Sequence, residues 1–370
     1  MALRILHTSD LHLGMKFAGY PDAQTVLAEE RFHCLERVVE EANARRCDLL
    51  VVAGDLFDRV SVAARDVLRA AETIRGFQGR LAAVLPGNHD FLSPGDELWP
   101  RFRDACAGSV LLLEEPTPYP LLHFDLDACL YPGPCTSKHS KSNAVGWVRG
   151  SPRPEGIGLH IGVAHGSLQG FSPDFSGEYY PMNLQELREA CVDLWLMGHT
   201  HARYPETPGR TERIFFAGTP EPDGFDCAHE GWAWALEIGD DGEVNAEPVR
   251  TGRLRFVDES VRIEGAADLR AFETRYSGPG AGATLLRARL SGRAPRNVIE
   301  EVSRARERMA GTLLHADLGT EGLREEITPE AIDREFVEES FPHTLLRTLA
   351  DAEDLEALEI AHELLGEARR

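Results

Sequence analysis

The chain has 370 residues, 42% of them hydrophobic, and a formal net charge of −22. That length exceeds one typical core, so one large domain plus a smaller one is expected, and the acidic balance argues against a free-standing, tight nucleic-acid binder, because phosphate contacts draw on clustered Lys and Arg. The seven cysteines form no Cys-x-x-Cys pair, which argues against a thiolate zinc site or a disulfide framework; no apolar stretch approaches the ~20 residues of a membrane span and the opening residues are too polar for a signal peptide, so a cytoplasmic location is expected.

The charge is uneven. Between Asn297 and Arg370 stand 8 basic and 19 acidic residues, half of the net charge. The rest is only mildly acidic, and a metal cluster can reverse the local field where phosphate binds.

Residues 4–8 read as a first strand that delivers Asp10 and His12 just beyond its end. Side chains two apart on an extended segment point the same way, so one cation can take both. His7, on the strand before its end, reads as a hydrogen-bonded core histidine. Over 23–45, Val26, Leu27, Phe32, Leu35, Val38, Val39 and Ala42 recur at helical spacing, beside a Glu-rich face that reads as solvated. The apolar run 48–53 is a strand of the covered kind and ends in Gly54 and Asp55, a carboxylate able to bridge two cations. Asp58 either supports a metal ligand or caps the next helix, expected over 65–75. Residues 81–84 form a third buried strand. Asn88, His89 and Asp90 follow in the loop at its C-terminal end, where open α/β sheets bind ligands.

Leu98, Trp99 and Phe102 read as packing residues. Short strands are expected over 110–113 and 128–131, then a polar loop over 132–143, for which a substrate-backbone contact and a plain surface loop stand as alternatives. Two more strands, 159–164 and 192–197, end in His165 and in Gly198-His199-Thr200-His201. Strands over 214–217, 232–238 and 244–249 close a two-sheet α/β core, flanked by helices, near residue 255. Beyond it the strand and helix patterns of 256–330 read as a small appended α/β domain. The final segment, 331–370, reads as an acidic helical pair whose apolar residues, Phe336, Phe341, Leu355, Ile360 and Leu364 among them, either pack on their own domain or dock a partner.

The strand-end clusters supply oxygen from Asp10, Asp55 and Asn88 and imidazole from His12, His165, His199 and His201. Such donors without thiolate suit Mn, Fe, Zn or Mg rather than copper or an iron–sulfur cluster. With one bridging carboxylate they make two sites of about four ligands each, ~3.5–4 Å apart, the arrangement of two-metal phosphoryl chemistry. His89 is left over beside a ligand, placed to steady the reacting phosphorus and protonate a leaving oxygen.

The order Asp-x-His, Gly-Asp-x-x-Asp, Gly-Asn-His-Asp, His-Gly, Gly-His-x-His resembles the calcineurin-like metallophosphoesterase superfamily. Within it, Leu6-His7-Thr8-Ser9-Asp10-Leu11-His12-Leu13-Gly14, Gly54-Asp55-Leu56-Phe57-Asp58 and Gly218-Thr219-Pro220-Glu221 are similar to SbcD-type and YhaO-type DNA repair nucleases. The resemblance implies that Asp10, His12, Asp55 and His201 hold one ion and Asp55, Asn88, His165 and His199 the other. It implies Mn2+, with Mg2+, Fe2+ and Zn2+ as alternatives, and exonuclease and endonuclease hydrolysis of DNA. Some nuclease relatives carry a second catalytic His after the Gly-Asp motif; this chain has none between Phe57 and Ser61, which leaves Asp58 as a catalytic candidate. The family pattern further implies a metallophosphoesterase domain over 1–255, a capping domain over 256–330, a C-terminal segment over 331–370 that docks an SbcC-like coiled-coil ATPase, and a homodimer. Such an ATPase would supply DNA-binding surface that an acidic chain lacks. The alternatives are a phosphatase or small-molecule phosphodiesterase of the same superfamily, and a catalytically silent scaffold for an ATPase, against which the intact ligand set argues. Phe91-Leu92-Ser93 after Asp90 lacks the arginine that phosphoprotein phosphatases place there.

Overall fold

The first three apolar runs become β1 (Leu3–Thr8), β2 (Leu49–Ala53) and β3 (Leu81–Leu85), parallel neighbours connected through α1 (Gln24–Ala44) and α2 (Ala64–Arg75). Every residue of β2 and β3 is buried, because the sheet is covered on both faces. Leu50 and Val52 meet Leu35, Val38, Val67 and Ile74 of the helices. Leu49, Val51 and Ala53, alternating with them, enter a core built with a second sheet. After α3 (Leu98–Cys106), β4 (Val110–Leu112) adds a parallel edge to the first sheet. Leu98, Trp99 and Phe102 are buried on the helical side, and Trp99 and Phe102 each meet Phe57 edge-on at 5.9 Å between ring centroids.

The computed structural model describes residues 2–227 and 229–368. Its second sheet runs β5 (Tyr119–Pro120), β6 (Ala128–Gly133), β7 (Leu159–His165), β8 (Leu194–Gly198), β9 (Ile214–Phe216), parallel except for the β5 edge. Between β7 and β8, α4 (Leu184–Glu189) is opened by a reciprocal capping box of Asn183 and Glu186. β10 (Trp232–Ile238) and β11 (Val244–Arg250) then return to the first sheet, antiparallel to β1, giving the order β11-β10-β1-β2-β3-β4. This is a two-sheet β-sandwich flanked by helices. Ile5, Val51 and Leu85 from one sheet and Leu130, Val163 and Leu196 from the other form its central layer.

Two expectations change here. His165 is the last residue of β7 rather than the first beyond it. The segment 132–143 is not polar loop throughout: Pro132 to Cys135 are buried, because Pro132 and Gly133 still pair with β7. The Cys135 N–H donates to the Pro86 carbonyl at 3.1 Å, so this stretch braces the loop that carries Asn88.

The chain divides into two compact units, Met1–Arg255 and Phe256–Arg370. In the second, β12 (Arg255–Arg262), α5 (Ala266–Arg275), β13 (Thr284–Ala294), α6 (Arg296–Ala310) and β14 (His315–Glu325) form a three-stranded sheet in the order β12-β13-β14 with two helices. Its core includes Ile263, Phe272, Leu286, Leu290, Val302 and Met309. β14 escapes a sequence reading because only Leu318 and Leu323 of its 11 residues are buried. The expected helical pair is three helices, α7 (Pro329–Glu335), α8 (Phe341–Asp351) and α9 (Leu355–Ala368), the first two started at Thr328 and Ser340 by side-chain caps. They gather Ile332, Phe336, Leu346 and Leu358 into a small cluster and leave Val337, Phe341, Leu355, Ile360 and Leu364 exposed. No helix among the described residues is long and apolar enough to cross a membrane.

Candidate metal centre

Beyond the sheet, the segments after β1 and β2 continue side by side: the N–H groups of Asp10, His12 and Leu13 donate to the carbonyls of Gly54, Asp55 and Leu56 at 3.1, 3.0 and 2.9 Å. Asp90 joins them to the β3 loop, its Oδ2 accepting from Phe57 N–H at 2.9 Å and its Oδ1 from Gly87 N–H at 2.7 Å. Close approach needs glycine twice. A Cβ on Gly54, whose φ is +90°, would lie 2.1 Å from His165 Nδ1, and one on Gly87 would lie 2.2 Å from Asp55 Oδ1. Four of the expected ligands have left-handed backbones: Asp10 (φ 56°), His12 (47°), Asp55 (52°) and His199 (93°). Such conformations are uncommon for non-glycine residues and persist where the surroundings impose them.

All the expected ligands come together. Asp55 Oδ2 lies 3.2 Å from His165 Nε2 and 3.7 Å from His12 Nε2. His12 Nε2 faces His201 Nε2 at 3.3 Å. Asn88 Oδ1 is 3.0 Å from both His165 Nε2 and His199 Nδ1. Asp10 Oδ1 stands 3.8 Å from His201 Nε2 and 4.0 Å from His165 Nε2. Three overlapping groups, Asp10 with His12 and His201, His12 with Asp55 and His89, and Asp10 with Asp55 and His165, each keep their ligand atoms within 4.8 Å of one another.

Carboxylate oxygens and imidazole nitrogens aimed at one another in a buried pocket repel unless protons or cations lie between them. The hard oxygen and imidazole donors fit divalent ions of the Mn, Fe, Zn and Mg kind. His165 Nδ1 donates to the Ala53 carbonyl at 2.9 Å, which fixes the tautomer and leaves Nε2 free to face the cluster. Burial works against charge on His165, but Asp55 and Asp10 outweigh it and raise its pKa to about 9. Burial likewise opposes charge on Asp55, yet His165 and His12 hold its carboxyl well below the usual range. Burial pushes His199 down to about 3 and His12 well below its ordinary value.

His89 sits at the rim, its ring 4.8 Å from that of His12 and its Nδ1 donating to the Asp58 carbonyl at 3.0 Å. By distance alone it also reaches the donors of His12 and Asp55. Asp58 is not a helix cap, since the N-cap of α2 is Ala63, which makes no side-chain cap; the Asp58 Oδ1 lies 4.0 Å from His12 Nδ1. His7 is wholly buried as expected, but neither ring nitrogen has a hydrogen-bond partner in normal geometry among the described residues. Burial lowers its pKa to about 3, so it is neutral.

Sequence reasoning missed Arg31 and Asp223. Arg31 lies on the inner face of α1 rather than in solvent, wholly buried, and donates to Asp223 Oδ2 at 3.0 Å, which is also 3.3 Å from His201 Nδ1. The helical spacing Leu27, Arg31, Leu35 carries a signal, a cation at a core position. Asp223 follows no strand and carries none.

Residues 3–203 match the family model described as calcineurin-like phosphoesterase. The DNA double-strand break repair protein Mre11 of Aeropyrum pernix is 36% identical over 96 residues, 25% of this chain and 22% of that protein. The uncharacterized metallophosphoesterase YhaO of Bacillus subtilis is 26% identical over 215 residues, 54% of this chain and 49% of that protein. The Mre11 protein of Methanopyrus kandleri is 26% identical over 234 residues, covering 60% and 49%. The chain thus spans about half, or less, of the length of these curated relatives. Among solved structures, TT1561 of Thermus thermophilus aligns with 68% of this chain and 100% of its own at 11% identity and a TM-score of 0.40. Calcineurin-like phosphoesterase YfkN from Bacillus subtilis aligns with 68% and 91% at 12% identity and a TM-score of 0.41. The matched span runs from the start of β1 to just past His201 and takes in every strand-end donor described above: the chain belongs to the calcineurin-like phosphoesterase family.

Proposed function

We propose that this metallophosphoesterase hydrolyses phosphodiester bonds of DNA, using two divalent ions, Mn2+ first among them. The observation that carries the reading is the convergence of Asp10, His12, Asp55, Asn88, His165, His199 and His201, in a chain whose relatives include proteins named for DNA double-strand break repair. In this reading Asp10, His12, Asp55 and His201 hold one ion and Asp55, Asn88, His165 and His199 the other, with Asp55 shared. When bound there, divalent ions would supply Lewis-acid polarisation of a phosphoryl oxygen and a lowered pKa for the attacking water. His89, steadied through Nδ1 by the Asp58 carbonyl, keeps Nε2 for the substrate and delivers a proton to the leaving oxygen. The Asp58 carboxylate, 4.0 Å from His12 Nδ1, is the nearest acid to the outer nitrogen of that ligand. An SbcC-like ATPase is the proposed partner, docked on the exposed apolar residues of α8 and α9 and supplying the DNA-binding surface that a net charge of −22 withholds.

One observation favours a second reading, a phosphodiesterase acting on a small ester. A cavity of about 680 Å³ opens beside His199 and His201, walled by Phe171, Tyr179, Arg203 and Trp232, within the size range of small-molecule sites. The test incubates the full chain with Mn2+ and end-labelled DNA, beside a small phosphodiester, with EDTA and His89→Ala as controls. DNA degradation abolished by EDTA and strongly reduced in His89→Ala is the expected result. Cleavage of the small ester alone supports the second reading, and cleavage of neither supports a scaffold.

A further inference from the structure

The loop 218–223 follows the family span and carries no expected ligand, yet α1 grips it with two arginines. Arg31 Nη1 donates to Thr219 Oγ1 at 3.2 Å and to the Glu221 carbonyl at 2.9 Å, while Nη2 reaches Asp223 Oδ2 at 3.0 Å. Arg37 pairs with the wholly buried Glu221 carboxylate at 2.5 Å. That carboxylate also accepts from the N–H groups of Arg253 and Leu254 at 2.8 and 2.7 Å. Burying an arginine costs several kcal/mol unless its hydrogen bonds and counter-charge are supplied, and Asp223 is the carboxylate that pairs with Arg31.

That carboxylate faces two ways. Asp223 Oδ2 is also 3.3 Å from His201 Nδ1, while the opposite nitrogen, Nε2, faces His12 Nε2 at 3.3 Å and Asp10 Oδ1 at 3.8 Å. A carboxylate on one nitrogen of an imidazole fixes the ring and makes the other nitrogen a better metal donor. The hydroxyl of Thr219, held by the same guanidinium, lies 3.0 Å from the Asp10 carbonyl and 2.9 Å from the Glu221 carbonyl, which share its one proton. His201 is therefore tied to Arg31 through Asp223, while the backbone of Asp10 lies against Thr219, which the same guanidinium holds. His165, by contrast, is oriented by a backbone carbonyl, and His199 contacts Asn88 and donates its backbone N–H to the Asp10 carboxylate at 3.1 Å; neither touches Asp223.

We propose that Arg31 and Asp223 are positioning residues for the ion held by His201, acting through His201, and that the other ion does not depend on the Asp223–His201 contact. The proposal rests on the two-ion reading above. It predicts unequal sites: the Arg31–Asp223 pair sets the occupancy of one.

The test titrates the metal-free full chain with Mn2+ and counts bound ions from the paramagnetic resonance signal of free Mn2+, with circular dichroism and melting of each variant recorded before metal is added. The wild type is expected to bind two ions. Asp223→Asn keeps the shape of the side chain and is expected to bind one ion as tightly as the wild type and the other about 10–100-fold more weakly. Asp223→Glu should recover part of the loss, and Arg31→Lys should weaken the same site alone. Two unchanged sites in Asp223→Asn, or two sites weakened alike, overturn the proposal while leaving the two-ion reading intact. A wild type that binds fewer than two ions overturns that reading, and the proposal with it.

Discussion

His89 differs from the imidazoles around it in what holds it, a backbone carbonyl at the rim of the cluster. If it serves as the acid, His89→Ala should lower kcat by about 10²–10⁴-fold with the number of bound Mn2+ ions unchanged in equilibrium dialysis; loss of an ion would make it a ligand instead. Two imidazoles paired with carboxylates predict a pH response with a definite sign. In the metal-free chain Asp55 raises the buried His165 to about 9 and Asp223 raises His201, whose side chain is 41% exposed, to about 9, whereas an unfolded His titrates at about 6.5. The folded protein binds these protons more tightly, so the stability they confer is present below pH ~6.5 and is lost as pH rises to about 9. The metal-free melting temperature should fall across that window. The increase produced by Mn2+ should grow across it, because the ions displace the same protons. A metal-free melting temperature that climbs from pH 6.5 to 9 would contradict the assignment of these charges.

Among elements, the strand ends matter more than the helices, because β1, β2, β3, β7 and β8 fix where the donors emerge. The crossing of the β2 and β7 ends leaves no room for a side chain at Gly54. Gly54→Ala is therefore expected to displace His165 and remove metal-dependent activity, seen as loss of the Mn2+-induced rise in melting temperature; a fully active variant would show that the ligands tolerate this shift. These strands were legible because each is a short apolar run that ends in, or is followed within two residues by, Gly, Asp or His, and both faces of the sheet are covered. The donors were legible for the same reason. β14 was not, since it pairs with β13 along its backbone while most of its side chains stay outside the core. Asp223 was illegible because its role comes from α1, 192 residues away in sequence.

At the scale of the whole molecule, the chain forms two units with separate cores. The first carries the entire donor cluster. The second leaves Phe341 and Leu364 at 74% and 60% exposure, so their substitution removes little burial. Replacing both with Glu should change stability by about 0.5 kcal/mol or less per site and leave hydrolysis by the isolated chain untouched, while abolishing any co-purification with a coiled-coil ATPase; unchanged co-purification would place docking elsewhere. The central claim is that the strand ends of the first unit build a two-ion centre around Asp55. Anomalous diffraction at the manganese edge, from crystals of the full chain grown with Mn2+, tests it most directly. The account predicts two peaks per chain, ~3.5–4 Å apart, flanking the Asp55 carboxylate, one beside His12 and His201 and the other beside Asn88, His165 and His199. A single peak there, or peaks only elsewhere, would contradict it.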